Sequence, residues 1–326
     1  MQDEAIQVTD GYYFPISPLL LFPETRGDFG VYLRMKGRYA LYAHPEESFT
    51  HDHQQKLFAN GVREVYVLAA QRNQFEAYME QNLGRMLLDE AVPVRERSQM
   101  FYNVSISLVR DAFRNNLPGQ GLSDQVGKLE RFVDLGIQFL AQPGSFKSLA
   151  TLINHHFQTY SHSVHVFVYT ATVLQSVGVE EVKVVQAGLG AILHDIGKTL
   201  IPKRILNKPS RLTHEEREAI ESHPLKGLGL CTQVDLSQTT MHGILYHHER
   251  LDGQGYPCGL AREQIPLTVR AITAADTYDA LTSSRPYSES KTPFQALSMM
   301  RETLGAQLDP EIYRHLVLVL SGAELV

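Results

Sequence analysis

Between His194 and Pro257 the chain reads HDIGK, then a lone His223, then HHERLDGQGYP, so histidine pairs stand beside carboxylates. With His162 upstream and Asp276 downstream, seven candidate metal ligands emerge: His162, His194, Asp195, His223, His247, His248 and Asp276. Any fold this chain adopts has to gather side chains far apart in sequence onto one centre. Neutral imidazoles mixed with hard carboxylates, and no thiolate, suit iron or manganese better than a structural zinc site, although nickel and zinc accept the same donors. The set is too large for one ion. It fits two divalent ions bridged by a carboxylate and a water, an arrangement that activates a nucleophile while clamping a phosphoryl group.

The 326 residues exceed the usual size of one domain, so two are expected. Hydrophobic residues make up 43% and charged residues 20%, and no apolar run approaches the roughly 20 residues that span a bilayer. The beginning, MQDEAIQV, has no basic stretch followed by an apolar one, which reads as a cytoplasmic protein without a secretory signal or membrane anchor. Cys231 and Cys258 fit no disulfide framework or thiolate motif and read as incidental thiols. A net charge of −6 argues against binding long nucleic acid. A small anionic substrate needs only local positive charge. The stretch from Ile196 to Thr213 supplies it, with Lys198, Lys203, Arg204, Lys208 and Arg211 and no acidic residue. A solvated basic loop is the competing reading of that run.

Strand-like runs near Gly30 to Met35, Tyr39 to Ala43 and Glu64 to Leu68, with helical patterns at Thr50 to Asn60 and Asn73 to Leu88, predict a small α+β or α/β domain. Its tyrosines, such as Tyr32, Tyr39 and Tyr42, are expected in the core. A helix is expected from Pro93 to Arg114, stopped by LPGQG at Leu117 to Gly121, which places the domain boundary between residues 120 and 121. Beyond it nearly everything reads as helix, with Ser123 as a first cap and PGS at Pro143 to Ser145 as a break. Tyr160 to Val177 is apolar almost all round apart from His162 and His165, the pattern of a buried helix. The run Ala187 to Leu193 places His194 and Asp195 at the end of a core helix, and Arg270 to Asp279 places Asp276 in another. A carboxylate in such surroundings needs compensation, which a metal supplies.

HDIGK, HHERLDGQGYP and ADTYDALTSSRPY occur in an order that resembles the HD-GYP family, a branch of the HD phosphohydrolases, over about Ser123 to Val326. The resemblance implies an all-α HD-type domain at residues 121–326 that hydrolyses cyclic di-GMP to pGpG, and on to GMP as a further step, at two divalent metal ions. The family's ligand positions fall on the same seven residues, with Asp195 as the bridge and the catalytic carboxylate. One ion is expected on His162, His194 and Asp276, the other on His223, His247 and His248. The resemblance also places Lys198 against a substrate phosphate, Arg285 against the other phosphate or a guanine, and Gly255 and Tyr256 in the substrate pocket. Gly253 and Gly255 are expected to let the loop approach the ligand, and Glu249 and Asp252 to orient imidazoles.

Two positions depart from the family pattern. Gln158 stands where some members carry a glutamate that holds a third ion, hence the expectation of two ions. Ser288 stands where many carry a basic residue, leaving Lys291 to substitute in binding substrate. His155, His156, His165, His214 and His242 are expected to be structural. A catalytically weak or inactive cyclic dinucleotide receptor remains as the alternative, and a mixed GMP and AMP ring as another substrate. The first 120 residues are expected to be regulatory, binding a ligand, a cyclase or other signalling protein, or a second copy as a homodimer through the Pro93 to Arg114 helix.

Overall fold

The computed structural model describes residues 12–35, 37–90, 92–114, 120–153, 159–283 and 290–325. It divides into two compact units, Met1–Val104 and Ser105–Val326. In chain order the first holds β1 (Tyr13–Ile16), β2 (Thr25–Arg26), β3 (Val31–Met35), β4 (Arg38–Ala43), β5 (Ser48–Phe49), α1 (His51–Ala59), β6 (Val65–Leu68) and α2 (Arg72–Leu88). Strands β1, β6, β3 and β4 pair antiparallel in that order, and β2 pairs with β5 separately. An antiparallel sheet with segregated helices makes this unit α+β.

Alternation of side chains along β6 turns Val65 and Val67 into the core and leaves Tyr66 and Leu68 half-buried on the other face. Phe75 and Tyr78 of α2 meet Phe14 and Phe29 edge-on at 5.3 to 5.7 Å. The Tyr78 hydroxyl accepts the Phe22 N–H at 2.7 Å, so this large ring is buried without an orphaned polar tip. Thr50 and His53 form a capping box that starts α1. The three expected strands all form. The strands missed are the two-residue β2 and β5 and the longer β1, where Pro15 argues against a central strand; β1 lies at the sheet edge, where proline is tolerated. Tyr32 is buried as expected, but Tyr39 and Tyr42 are only half-buried, and Tyr39 stacks on Tyr13 at 3.9 Å.

The division between the units falls inside α3 (Val94–Arg114) rather than at LPGQG. Residues 117–119 of that segment lie outside the described residues, and Gln120 already opens α4 (Gln120–Leu140). Every further named element is helical: α5 (Ser145–Leu152), α6 (Thr159–Val177), α7 (Glu181–Leu193), α8 (Lys203–Leu206), α9 (His214–Glu221), α10 (His223–Leu230), α11 (Gln238–Tyr246), α12 (Leu267–Thr282), α13 (Pro293–Glu302) and α14 (Pro310–Gly322), with short 3-10 turns between. Among the described residues no helix is long and apolar enough to cross a membrane.

Helix α6 is the axis of this unit and packs against α7, α12, α14 and α4. Val164, Val166, Phe167, Val168, Ala171, Val173 and Leu174 are all buried. Each of the valine, leucine and phenylalanine side chains contributes about 1.5–3 kcal/mol by leaving water, so α6 is held by its neighbours rather than by helix propensity. Helix α7 crosses α11 with almost no side chain between them: a Cβ on Gly190 would lie 3.3 Å from the Gly243 Cα, and one on Gly243 would lie 3.1 Å from the Gly190 Cα. The Thr240 hydroxyl donates to the Gln186 carbonyl at 2.9 Å across the same crossing.

Candidate metal centre

The close crossing of α7 and α11 sets the geometry of the site. It brings His194, at the C-terminal end of α7, to a ring-centroid distance of 4.8 Å from His247, at the C-terminal end of α11. Gly197 of HDIGK does the same for His223, because its missing Cβ allows the turn after Asp195 to lie directly on the backbone of His223 and Gly227. His162 enters from α6 and Asp276 from the middle of α12.

Asp195 lies at the centre and its two oxygens face different partners. Oδ2 is 3.4 Å from His194 Nε2 and 3.8 Å from His162 Nε2. Oδ1 is 3.3 Å from His223 Nε2 and 4.0 Å from His247 Nε2. Two groups follow, each with ligand atoms within 4.8 Å of one another: His162, His194 and Asp195, and Asp195, His223, His247 and His248. Asp276 spans both, with Oδ1 3.1 Å from His162 Nε2 and Oδ2 4.0 Å from His248 Nδ1. The seven ligand candidates are thus brought together, and Asp276 reaches toward His248 as well as His162.

Three imidazoles are oriented by backbone. His194, His223 and His247 each place Nδ1 2.6 to 2.9 Å from the carbonyl three residues earlier, on Ala191, Ile220 and Ile244. A carbonyl can only accept, so Nδ1 carries a proton, and in the corresponding neutral tautomer the Nε2 turned inward is unprotonated. In that tautomer His223 Nε2 and His247 Nε2, which lie 3.1 Å apart, face each other with two lone pairs and no proton between them. His194 Nε2 and Asp195 Oδ1 are buried without a hydrogen-bond partner. Facing lone pairs and orphaned acceptors around a carboxylate are what a divalent cation satisfies, so this donor set fits the expected metal.

The charges agree. Burial, the largest influence, would raise the pKa of Asp195, but its neighbours His194, Lys198 and His223 outweigh it and hold the carboxyl well below the usual carboxylate range. Asp276 is held low as well, against its burial, chiefly by His162. Burial and neighbouring imidazoles push His247 well below the ordinary histidine value, and burial lowers His248 to about 3 against the pull of Asp276. His162 goes the other way. Burial would lower it, yet Asp276 on one nitrogen and Asp279 on the other raise it to about 9. The charge those carboxylates demand can come from a proton on Nε2 or from a cation.

Asp279 is the residue that sequence reading missed. Its Oδ2 accepts from His162 Nδ1 at 2.7 Å and its Oδ1 from His165 Nδ1 at 2.8 Å. Its spacing of one helical turn from Asp276 was the available signal. Glu249 and Asp252, expected to orient imidazoles, do not. Glu249 is buried and accepts the Cys258 and Leu260 N–H groups at 2.7 and 2.9 Å, and Asp252 pairs with Arg250 and accepts the Gln254 N–H, so both shape the loop instead. Gly255 approaches the chain's own backbone: a Cβ there would lie 2.5 Å from the Glu249 Cα and the Arg250 nitrogen. That packing seats the Tyr256 ring 4.7 Å from His248.

Lys198 donates to Asp195 Oδ2 at 2.7 Å while remaining partly exposed. In the basic run, Lys208 is committed to Glu216 and Lys203, Arg204 and Arg211 are exposed, which is the solvated-loop pattern, so Lys198 is the cation of that run placed at the cluster. Lys291 bonds the Leu281 carbonyl through its backbone N–H, and its ammonium joins no ion pair among the described residues. Arg285, Ser288, Gln158, His155 and His156 lie outside the described residues.

The chain is 37% identical over 237 residues to a Pseudomonas aeruginosa protein named cyclic di-GMP phosphodiesterase PA4108, an alignment covering 72% of this chain and 56% of that one. It is 35% identical over 155 residues to 3'3'-cGAMP-specific phosphodiesterase 3 of Vibrio cholerae, covering 48% of this chain and 34% of the relative. The chain therefore spans about half or less of the curated relatives it matches. Among solved structures it shares the fold of Bd1817, a HDG"Y"P protein from Bdellovibrio bacteriovorus, with a TM-score of 0.65 at 18% identity over 95% of this chain and 100% of that one. The family model described as HD domain matches residues 147–312, half of the chain and every ligand candidate, and this chain belongs to that family.

Proposed function

We propose that this protein is a divalent-metal-dependent phosphodiesterase that opens cyclic di-GMP to linear pGpG. The observation that carries the reading is the placement of Asp195, whose two oxygens each face a different pair of imidazoles. The reading takes two divalent ions, iron or manganese, with His162 and His194 on one side, His223, His247 and His248 on the other, Asp195 between them and Asp276 reaching both. Such ions supply Lewis acidity that lowers the pKa of water and offsets charge on a phosphoryl group.

The chain's own residues supply the rest. Lys198, partly exposed beside Asp195, can turn its ammonium to a non-bridging phosphoryl oxygen. Tyr256 keeps its proton, because burial first and then the charges of Asp195 and Asp276 raise its pKa, so its hydroxyl can donate to substrate. Gly255 and Glu249 hold that tyrosine in place by anchoring the loop. Arg285 and Lys291 complete the substrate-binding set, and residues 1–120 act as the regulatory module. The name of the P. aeruginosa relative supports cyclic di-GMP as the substrate, and that of the V. cholerae relative supports cyclic dinucleotides as its class.

The 326-residue protein loaded with Mn²⁺ is expected to convert cyclic di-GMP to pGpG, read by chromatography, and Asp195→Ala to reduce product below detection. Tight binding of cyclic di-GMP without product in metal-loaded protein, or retained turnover in Asp195→Ala, would refute the reading.

A further inference from the structure

Of the ligand imidazoles whose Nδ1 makes a hydrogen bond among the described residues, three are held by a backbone carbonyl and one by a carboxylate. His194, His223 and His247 donate Nδ1–H to a carbonyl of their own chain segment. His162 gives its Nδ1–H to Asp279, from the next turn of the helix that carries Asp276. The same carboxylate accepts His165 Nδ1 at 2.8 Å and the Ser283 hydroxyl at 3.2 Å, and all four residues are buried. His165 faces Asp279 rather than Asp195 or Asp276, and the proposed reaction gives it no part. A full negative charge on the far nitrogen makes an imidazole a stronger donor to a cation than a neutral carbonyl does, and it locks the ring orientation. The two halves of the centre are therefore built differently.

We propose that Asp279, itself held by His165, is a positioning residue that makes the His162 and His194 end of the centre the tighter of two metal positions. This rests on the metal-centre reading above. Loss of the Asp279 charge is then expected to weaken one position by about 10- to 100-fold and to leave the other unchanged.

The test is a Mn²⁺ titration of the metal-free 326-residue protein, wild type against Asp279→Asn, followed by the paramagnetic signal of unbound ion. Wild type is expected to bind in two phases, and in Asp279→Asn only the tighter phase should weaken. The increment in melting temperature on adding Mn²⁺ should shrink over and above any fall in the metal-free melting temperature, which a merely structural role would not produce. His165→Asn, which keeps an N–H donor for Asp279, should retain most of the wild-type titration. Equal weakening of both phases, or of neither, overturns the proposal. A wild type that binds no Mn²⁺ overturns the metal-centre reading instead. Should Asp279→Asn fail to fold, imidazole-¹⁵N spectra of the Zn²⁺-loaded wild type decide the matter: two strongly deshielded ring N–H protons bonded to a carboxylate are expected, and finding none overturns it.

Discussion

Gly197 links the HDIGK motif to the position of His223, and replacing it with alanine tests whether backbone contact builds the site. A Cβ there would lie 2.0 Å from the His223 carbonyl oxygen and 2.5 Å from the Gly227 nitrogen, where real Cβ atoms essentially never come within 3.0 Å. Relief requires a shift of at least 1.0 Å (3.0 − 2.0), and both neighbours are backbone atoms that cannot rotate aside. Overpacking of this kind costs about 1–3 kcal/mol, and the upper end applies where no side chain can give way. In a unit of this size each kcal/mol lowers the melting temperature by roughly 2–4 °C, so a fall of about 6–12 °C is expected near 3 kcal/mol. The same shift carries His223 Nε2 away from Asp195 Oδ1, now 3.3 Å apart, and metal ligands tolerate only about 0.2 Å of error, so Mn²⁺ affinity should fall as well. Gly229, exposed on the same helix with nothing within 4 Å of its Cβ position, is the control. Alanine there should stabilise by up to about 1 kcal/mol through helix propensity. Thermal unfolding with and without Mn²⁺ on both variants decides it. If Gly197→Ala melts and binds metal like wild type, backbone contact at HDIGK does not position His223.

Glu249→Gln replaces a carboxylate that accepts two loop N–H groups with an amide that can accept only one and presents its own NH₂ to the other, so a destabilisation of about 1–3 kcal/mol is expected in urea unfolding. Because the loop carries Tyr256, KM for cyclic di-GMP should rise more than kcat falls; an unchanged KM would separate Glu249 from the loop's role. Asp309 caps α14 through the Glu311 and Ile312 N–H groups and pairs with Arg270 at 2.9 Å. Burial, the largest influence, would raise its pKa, but the Ile312 N–H, Arg270 and the Glu311 N–H outweigh it and hold the carboxyl low. A depressed folded pKa means stability that is present above the unfolded value of about 3.9 and is lost as pH falls through the folded one. Asp309→Asn should therefore unfold about 1 kcal/mol more easily at pH 7, and the gap should close toward pH 3. A constant gap in urea midpoints between pH 7 and pH 3 would mean the charge plays no part.

Fold and site were legible in the sequence to different depths. The buried helix from Thr159 to Val177 and the ligands at the ends of α7 and α11 were readable because apolar runs broken by histidines carry both burial and chemistry in one pattern. Strand β1 was hidden by Pro15, since a sequence does not say which strand is an edge. The boundary was drawn at LPGQG because glycine and proline mark breaks, whereas the compact units separate within α3, a continuous helix with no break to see. Glu249 and Asp252 were assigned to imidazoles because a carboxylate beside a histidine pair suggests one; their actual partners in the loop are mostly backbone N–H groups, which every residue has and no motif displays. Asp279 escaped because a residue that only orients a ligand needs no particular place in a motif. Only its spacing from Asp276 hinted at a shared face.

A single physical cause unites the three backbone-held imidazoles. Ala191, Ile220 and Ile244 lie in the last turns of α7, α9 and α11, where the final carbonyls have no partner within the helix. A histidine placed just beyond such an end satisfies one of these carbonyls with Nδ1–H and must then turn Nε2 outward, so helix termination and ligand orientation are the same event. Each of those ends also carries a partial negative charge of about half an electron from the aligned peptide dipoles. Three such ends near Asp195 and Asp276 add to the negative charge of the two carboxylates, offset in part by Lys198 and by the N-terminal end of α10 at His223, and the balance favours a cation. Under the proposed function an anionic phosphate meets less repulsion there once a cation is bound, which ties substrate binding to metal loading by electrostatics before any chemistry begins.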